Sequence, residues 1–311
     1  MPRPWWTAVL RLAALVTAVG LATSRLGLVV HELIGHGGAT LAVGGTVTNV
    51  QLFWFAGGWI RFEATHGELA IALGGIVIES AVGIALWIGL ARRTSLGGRI
   101  AHAIGAVLVL HATWYLATGT WHGYGDGVML HRDLGDTKWL VAIPAAAITL
   151  GAAFVGARCV LGALAATVPG TQRARIAGTA IALVIAGGIQ LGAALGEVQL
   201  RRDATYTATM RPERERAVAR ELAQWTEQQA RERQRPSEEE RARMQRVLAD
   251  RHATFPFAIV LAVLTVIAAG LGALRARGAA EGPVATGLLG RSAVYALGSI
   301  ALVIAIDVVF H

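Results

Sequence analysis

Residues 31–38 read HELIGHGG. Two imidazoles and a carboxylate within six residues are the groups from which proteins build divalent-metal sites. The helical zinc signature is His-Glu-x-x-His, whose histidines fall four apart on one helix face. Here His31 and Glu32 are followed by Leu33, Ile34 and Gly35 before His36, one residue too many. Each helical residue turns about 100°, so a fifth residue lies about 140° away and chelation is spoiled. Two local changes would restore it. A π-bulge inserts one residue into a turn, and such bulges favour functional sites. Alternatively, the helix loosens at Gly35, with Gly37 and Gly38 just beyond. Two neutral imidazoles, one carboxylate and a water around Zn2+ make an open catalytic site. Glu32 would then be the general base that deprotonates the water.

The elements that must position this cluster are apolar. The chain has 311 residues, 54% hydrophobic and 15% charged, with a mean hydropathy of +0.53. Soluble domains carry about a quarter charged residues, and here the charges crowd into residues 201–251. The remainder is mostly apolar runs of about 20 residues, the length that crosses a bilayer as a helix. Spans are expected at about 5–22, 25–43, 68–91, 99–119, 138–165, 174–198, 254–274 and 291–310. Their Gly and Ala content lets helices approach closely in lipid. The cluster therefore sits inside a span, where ionisable groups are costly and mark function by default.

The start, MPRPWWTAVLRLAALVTAVGLATS, resembles a signal peptide. The next segment is also membrane-embedded, so it is read as a first helix. Cys159, the one cysteine, leaves no disulfide framework. The net charge of +8 is explained by the positive-inside rule, and no nucleic-acid motif accompanies it.

Between the spans lie three segments of other kinds. Residues 44–63 have β-type composition around Gly57-Gly58 and are expected to form a hairpin beside or within the membrane. An open edge on it would suit strand addition by an extended peptide. Residues 120–137 form a polar, Gly-rich loop holding Asp126, with His131, Asp133 and Asp136 as solvated residues. Residues 201–251 carry 13 Arg against 10 Asp plus Glu. They are read as two amphipathic helices, one opened by Pro212 and one by a Ser237–Glu240 capping box, hinged at Pro236. The expected fold is an all-α polytopic membrane protein of about eight transmembrane helices. It carries a small membrane-associated β-hairpin and an extramembrane helical hairpin. The core covers 1–198, a charged helical insertion 199–252, and a C-terminal pair of spans 253–311.

The stretch VVHELIGHGGATLAVGGTVTNVQLF resembles the start of the site-2 protease (M50) family of intramembrane zinc metalloproteases. In that family the zinc helix is followed by a Gly-Gly turn and a membrane-associated β-hairpin. A further span carries Gly-Pro-x-x-Asn, and the Asp of a later Asp-Gly pair is the third ligand. Here GGIVIE (74–79) occupies the second place, with Gly75 for Gly, Ile76 for Pro and Glu79 where Asn stands. YGDG puts Asp126-Gly127 in the third, without the prolines that usually precede it. The resemblance covers roughly residues 25–130. It implies His31, His36 and Asp126 as zinc ligands, Glu32 as the catalytic base, and a membrane protein or peptide as substrate. The six-residue spacing is also that of the soluble dipeptidyl peptidase III family, whose third ligand is a downstream Glu. That pattern favours Glu79.

Other readings stay open. Glu79, buried mid-span, is an alternative ligand or an outer acceptor for a ligand imidazole. His111 shares a face of its span with Tyr115 and could line the same cavity. Glu32 and His36 are four apart, and with Glu79 they could form a proton relay in a transporter. A catalytically inactive relative that shelters membrane proteins is a further reading. The expected setting is a multi-pass chain in the bilayer of a bacterial cytoplasmic membrane, without nucleic-acid partners. His102 is read as interfacial and Glu197 as a boundary residue. Nothing in the sequence accounts for Asp307.

Overall fold

The computed structural model describes residues 3–92, 95–232, 235–276 and 284–310. The expected spans 5–22 and 25–43 are one continuous rod. Helix α1 (Arg3–Val29) runs through a π-helical segment (Val30–Gly37) into α2 (Gly38–Ala42). Nothing between the two apolar runs breaks a helix, because neither Pro nor a turn sequence is present. Arg25, the charge at the expected boundary, needs no water. Its guanidinium donates to the carbonyls of Phe53 (2.6 Å), Ala56 (2.7 Å) and Phe55 (3.1 Å) and to Ser24 Oγ (2.7 Å).

The other spans fall within a few residues of expectation: α3 (Glu68–Gly89), α4 (Leu96–His122), α6 (Trp139–Leu164), α7 (Gln172–Arg201), α11 (Phe257–Leu274) and α12 (Thr286–Phe310). With the rod, seven helices among the described residues are long and apolar enough to cross a membrane. The chain is an all-α polytopic membrane fold with one small sheet. Helix α4 packs on α3 and α6, α6 on α11, and α1 on α7 and α12. Trp5, Val9 and Leu12 of α1 meet Leu164, Val168 and Ala182 in the largest core cluster.

The hairpin forms as expected. Strands β1 (Thr46–Leu52) and β2 (Gly58–Glu63) are antiparallel, pairing Val47 with Phe62 and Leu52 with Gly58, with an irregularity between Val47 and Asn49. Its tip is clamped from both sides. Arg25 holds the carbonyls of residues 53, 55 and 56, while Glu197 accepts the N–H groups of Trp54 (2.7 Å), Phe55 (2.6 Å) and Ala56 (3.1 Å). Glu197 is thus a buried anchor and not merely a boundary residue. Asp307 also finds its reason. It accepts the Leu52 N–H (3.2 Å) and pairs with Arg201 (3.0 Å), occupying the edge of β1 at that point. The edge is therefore not free along its whole length for an added strand.

Removing one member of a buried charge set strands the rest, at a cost of about 3–5 kcal/mol. Arg25→Leu is expected to lower stability by about that amount in reversible denaturation of the detergent-solubilised protein. A loss below about 1 kcal/mol would mean that water replaces the guanidinium.

Among its described residues the charged segment holds three helices where two were expected. Pro212 opens α9 (Glu213–Arg231), and Ser237 with Glu240 forms the expected capping box of α10 (Glu238–Arg251). The additional α8 (Ala204–Met210) is capped by Asp203. A short α5 (Val128–Leu134) completes the 120–137 loop.

Candidate metal centre

Of the two ways the stretched motif could close, the chain uses the π-helix. Residues Val30–Gly37 adopt i→i+5 geometry, which returns the fifth residue to the face of the first. The His31 and His36 rings lie 4.9 Å apart, centre to centre. One ligand atom each from His31, Glu32 and His36 falls within 4.8 Å of the others, and all three residues are buried. These three could hold a metal ion.

Asp126 joins them from the loop after α4. Its Oδ2 lies 2.9 Å from His31 Nε2 and 3.4 Å from His36 Nε2. The flanking glycines allow this approach. Gly125 has φ +51°, and the Tyr115 hydroxyl occupies the space its Cβ would fill. Gly127 lies against the backbone of Gly119 and Thr120, where no side chain fits.

Hydrogen-bond partners fix the charge pattern. His31 Nδ1 faces Glu79 Oε2 at 3.1 Å, and His36 Nδ1 faces the Ile71 carbonyl at 2.6 Å. Both partners only accept, so each Nδ1 carries the ring hydrogen. In the neutral imidazoles both Nε2 atoms then present lone pairs to a carboxylate oxygen. Asp126 Oδ2 is buried and makes no hydrogen bond of acceptable geometry. Three lone-pair atoms converging out of water repel one another unless a cation lies among them, either protons on the rings or a metal ion.

Glu79 stands behind His31, on the Nδ1 side, and not beside Asp126. Its other oxygen meets His111 Nδ1 at 2.8 Å. His111 is largely exposed to a cavity that Tyr115 also lines. The two rings are parallel, 6.3 Å apart. His131 donates to the Thr120 carbonyl (3.0 Å) and is half-buried rather than solvated. His102 bonds the Trp87 carbonyl (2.7 Å) and lies 3.4 Å from Cys159 Sγ, far along α4 from the cluster. No protein-family model, curated protein or solved structure matches this chain.

Sequence reasoning missed the floor of the site. The π segment packs on α3 through Gly35, Gly74 and Gly75, with Gly35 placed so that its Cβ would sit 2.5 Å from the Gly75 Cα. At Gly75 the three atoms nearest an added methyl all belong to the His31 ring, Nε2 first. Gly75→Ala is therefore expected to leave the helices packed and to displace the imidazole. Metal affinity should fall about 10- to 100-fold, as when a ligand loses its positioning. Equilibrium dialysis with zinc reads this directly, and unchanged affinity would place the ligand atom elsewhere.

Proposed function

We propose that this chain is a zinc-dependent intramembrane protease, similar in its site to the site-2 protease family. Its substrate would be a membrane protein or peptide, cut in or near a membrane-spanning segment. The observation that supports this most is the meeting of His31, Glu32 and His36, on one membrane helix, with the buried Asp126 oxygen from the loop after α4. The donor set of two imidazoles and a carboxylate fits zinc. His31, His36 and Asp126 would hold the ion, and zinc bound there supplies Lewis acidity that lowers the pKa of water and polarises a carbonyl.

The chain's own groups do the rest. Glu32 takes the proton of the attacking water and returns it to the leaving amine. Glu79 keeps the His31 ring turned so that Nε2 faces the site, and the Ile71 carbonyl does the same for His36. The proton-relay alternative rests on Glu32 with His36. Among the described residues these two share no hydrogen bond, and His36 instead meets Ile71 and Asp126.

The test is cleavage of a fluorogenic transmembrane peptide by the protein in proteoliposomes. Cleavage that stops on chelation and returns with zinc supports the reading. Proton flux lost in Glu32→Gln, with no cleavage in wild type, supports the transporter.

A further inference from the structure

The merging of the first two expected spans moves the N-terminus. With two separate spans, the first residues and the hairpin would share one side of the membrane. With the single rod they lie on opposite sides. Packing agrees. Trp5 and Val9 of α1 meet Leu164 and Val168 at the α6–α7 connection and Val284 ahead of α12, and Leu96 at the start of α4 packs against them. The N-terminus and the α3–α4, α6–α7 and α11–α12 connections therefore gather at one end of the bundle. Asp126, the hairpin, Glu197 and α8 lie at the other, with the cluster.

The two ends differ in charge. The first carries Arg3 and Arg11 on α1, Arg92 and Arg99 about the α3–α4 connection, Arg173 and Arg175 at the start of α7, and Arg275 after α11. Among the described residues no Asp or Glu lies there, and Glu281 falls outside them. Arg11, Arg92, Arg173, Arg175 and Arg275 form no ion pair with a described residue. Their forked guanidinium groups match phosphate oxygens, which the anionic lipids of the cytoplasmic leaflet supply. The cluster end instead holds Glu63, Asp133 and Asp136 in its short connections, beside Arg61, Arg132 and Lys138.

Lys and Arg near the ends of spans set orientation, and the first helix usually dominates. Arg3 and Arg11 precede the middle of the rod, whereas the connection after it, 43–67, holds Arg61 alone. One segment opposes this, 201–251 with its 13 Arg at the cluster end. Its arginines are largely answered within it: Glu213 pairs with Arg216 and Arg220, Glu227 with Arg231, and Glu221 with Arg251. It is also folded into helices α8–α10, and folded domains cross largely regardless of their charge.

We infer that the arginine end of the bundle lies against the anionic headgroups of the cytoplasmic leaflet, so that the metal cluster, the hairpin and α8–α10 open to the opposite side of the membrane. Under the proposed function, the chain that is cut has then already entered or crossed the membrane. The orientation itself needs neither metal nor activity, so it stands or falls apart from the protease reading.

Cysteine accessibility in intact cells tests it on the full chain, with Cys159→Ser as background. Single cysteines replace the exposed residues Ala91 and Gln172 at the arginine end, and Asp136 and Glu239 at the cluster end. A membrane-impermeant maleimide should label Asp136→Cys and Glu239→Cys in intact cells, and Ala91→Cys and Gln172→Cys only after permeabilisation. The reverse pattern, or equal labelling of both ends in intact cells, would overturn the orientation. Replacing Arg92, Arg173 and Arg175 together with Gln should lower intact-cell labelling of Glu239→Cys about twofold or more, as part of the population inverts. Replacing Arg214, Arg243 and Arg246 with Gln should not. An effect of the second set without the first would overturn the role of the arginine end. Native mass spectrometry reads the lipid contact, with phosphatidylglycerol and phosphatidylcholine supplied equally. Phosphatidylglycerol should be retained preferentially by wild type and lose that preference in the first Gln set. Equal retention of both lipids by wild type would overturn the docking on anionic headgroups.

Discussion

Glu32→Gln is expected to keep zinc bound and to lower hydrolysis about 10²- to 10⁴-fold, the usual worth of a general base. The reasoning is geometric. His31, His36 and Asp126 already converge on one point, through two Nε2 atoms and Oδ2 at 2.9 and 3.4 Å. Glu32 is buried beside them, its carboxylate within reach of the same point. Yet Glu32 also lies close enough to be a ligand in its own right, since its carboxylate and both imidazoles fall within 4.8 Å. The variant separates these roles. Zinc content and rate should part company if Glu32 is the base. If zinc falls with the rate, Glu32 is a ligand and the base must be sought elsewhere.

The second large effect belongs to the third ligand. Asp126→Ala should remove most of the bound zinc, because it deletes the carboxylate that faces both Nε2 atoms. Glu79→Gln should weaken affinity only about 10- to 100-fold. Glu79 touches His31 at Nδ1, the far side of the ring, and shares its other oxygen with His111. A glutamine retains an acceptor for His31 but loses the charge. Competition with a chelator of known affinity measures both variants on one scale. Normal zinc binding in Asp126→Ala beside none in Glu79→Ala would reverse the assignment, and the soluble-peptidase pattern would then be the better guide.

Much of this was legible in the sequence, for reasons that differ by element. The spans were readable because apolar length alone defines them, and six of the eight expected spans fall within a few residues of a helix. The other two merged. Arg25 lies where the second of them was expected to begin, and its charge is consumed by carbonyls nearly 30 residues away in sequence. No local pattern encodes that partnership. Asp307 and Glu197 were opaque for the same reason, since each acts on the hairpin over more than 140 residues of separation.

The site itself was more visible. The extra residue in HELIGH poses a steric problem with few solutions, and a glycine beside it points to the backbone. What stayed hidden was the floor. GGIVIE read as a motif position, whereas Gly75 in space is the gap that admits the His31 ring. Helix α8 was missed because TYTATM has no amphipathic signature, and its contacts with Gly57 and Tyr115 are wholly tertiary.

Under the proposed function a metal ion, and not a pair of protons, answers the convergence of lone pairs at Asp126. Metal analysis of the purified chain tests it most directly, with wild type measured against His36→Ala. About one zinc per chain is expected in wild type and almost none in the variant, with the fold of both intact by circular dichroism. Wild-type protein that holds no zinc after dialysis against the free ion, or a His36→Ala variant that holds as much as wild type, would contradict it.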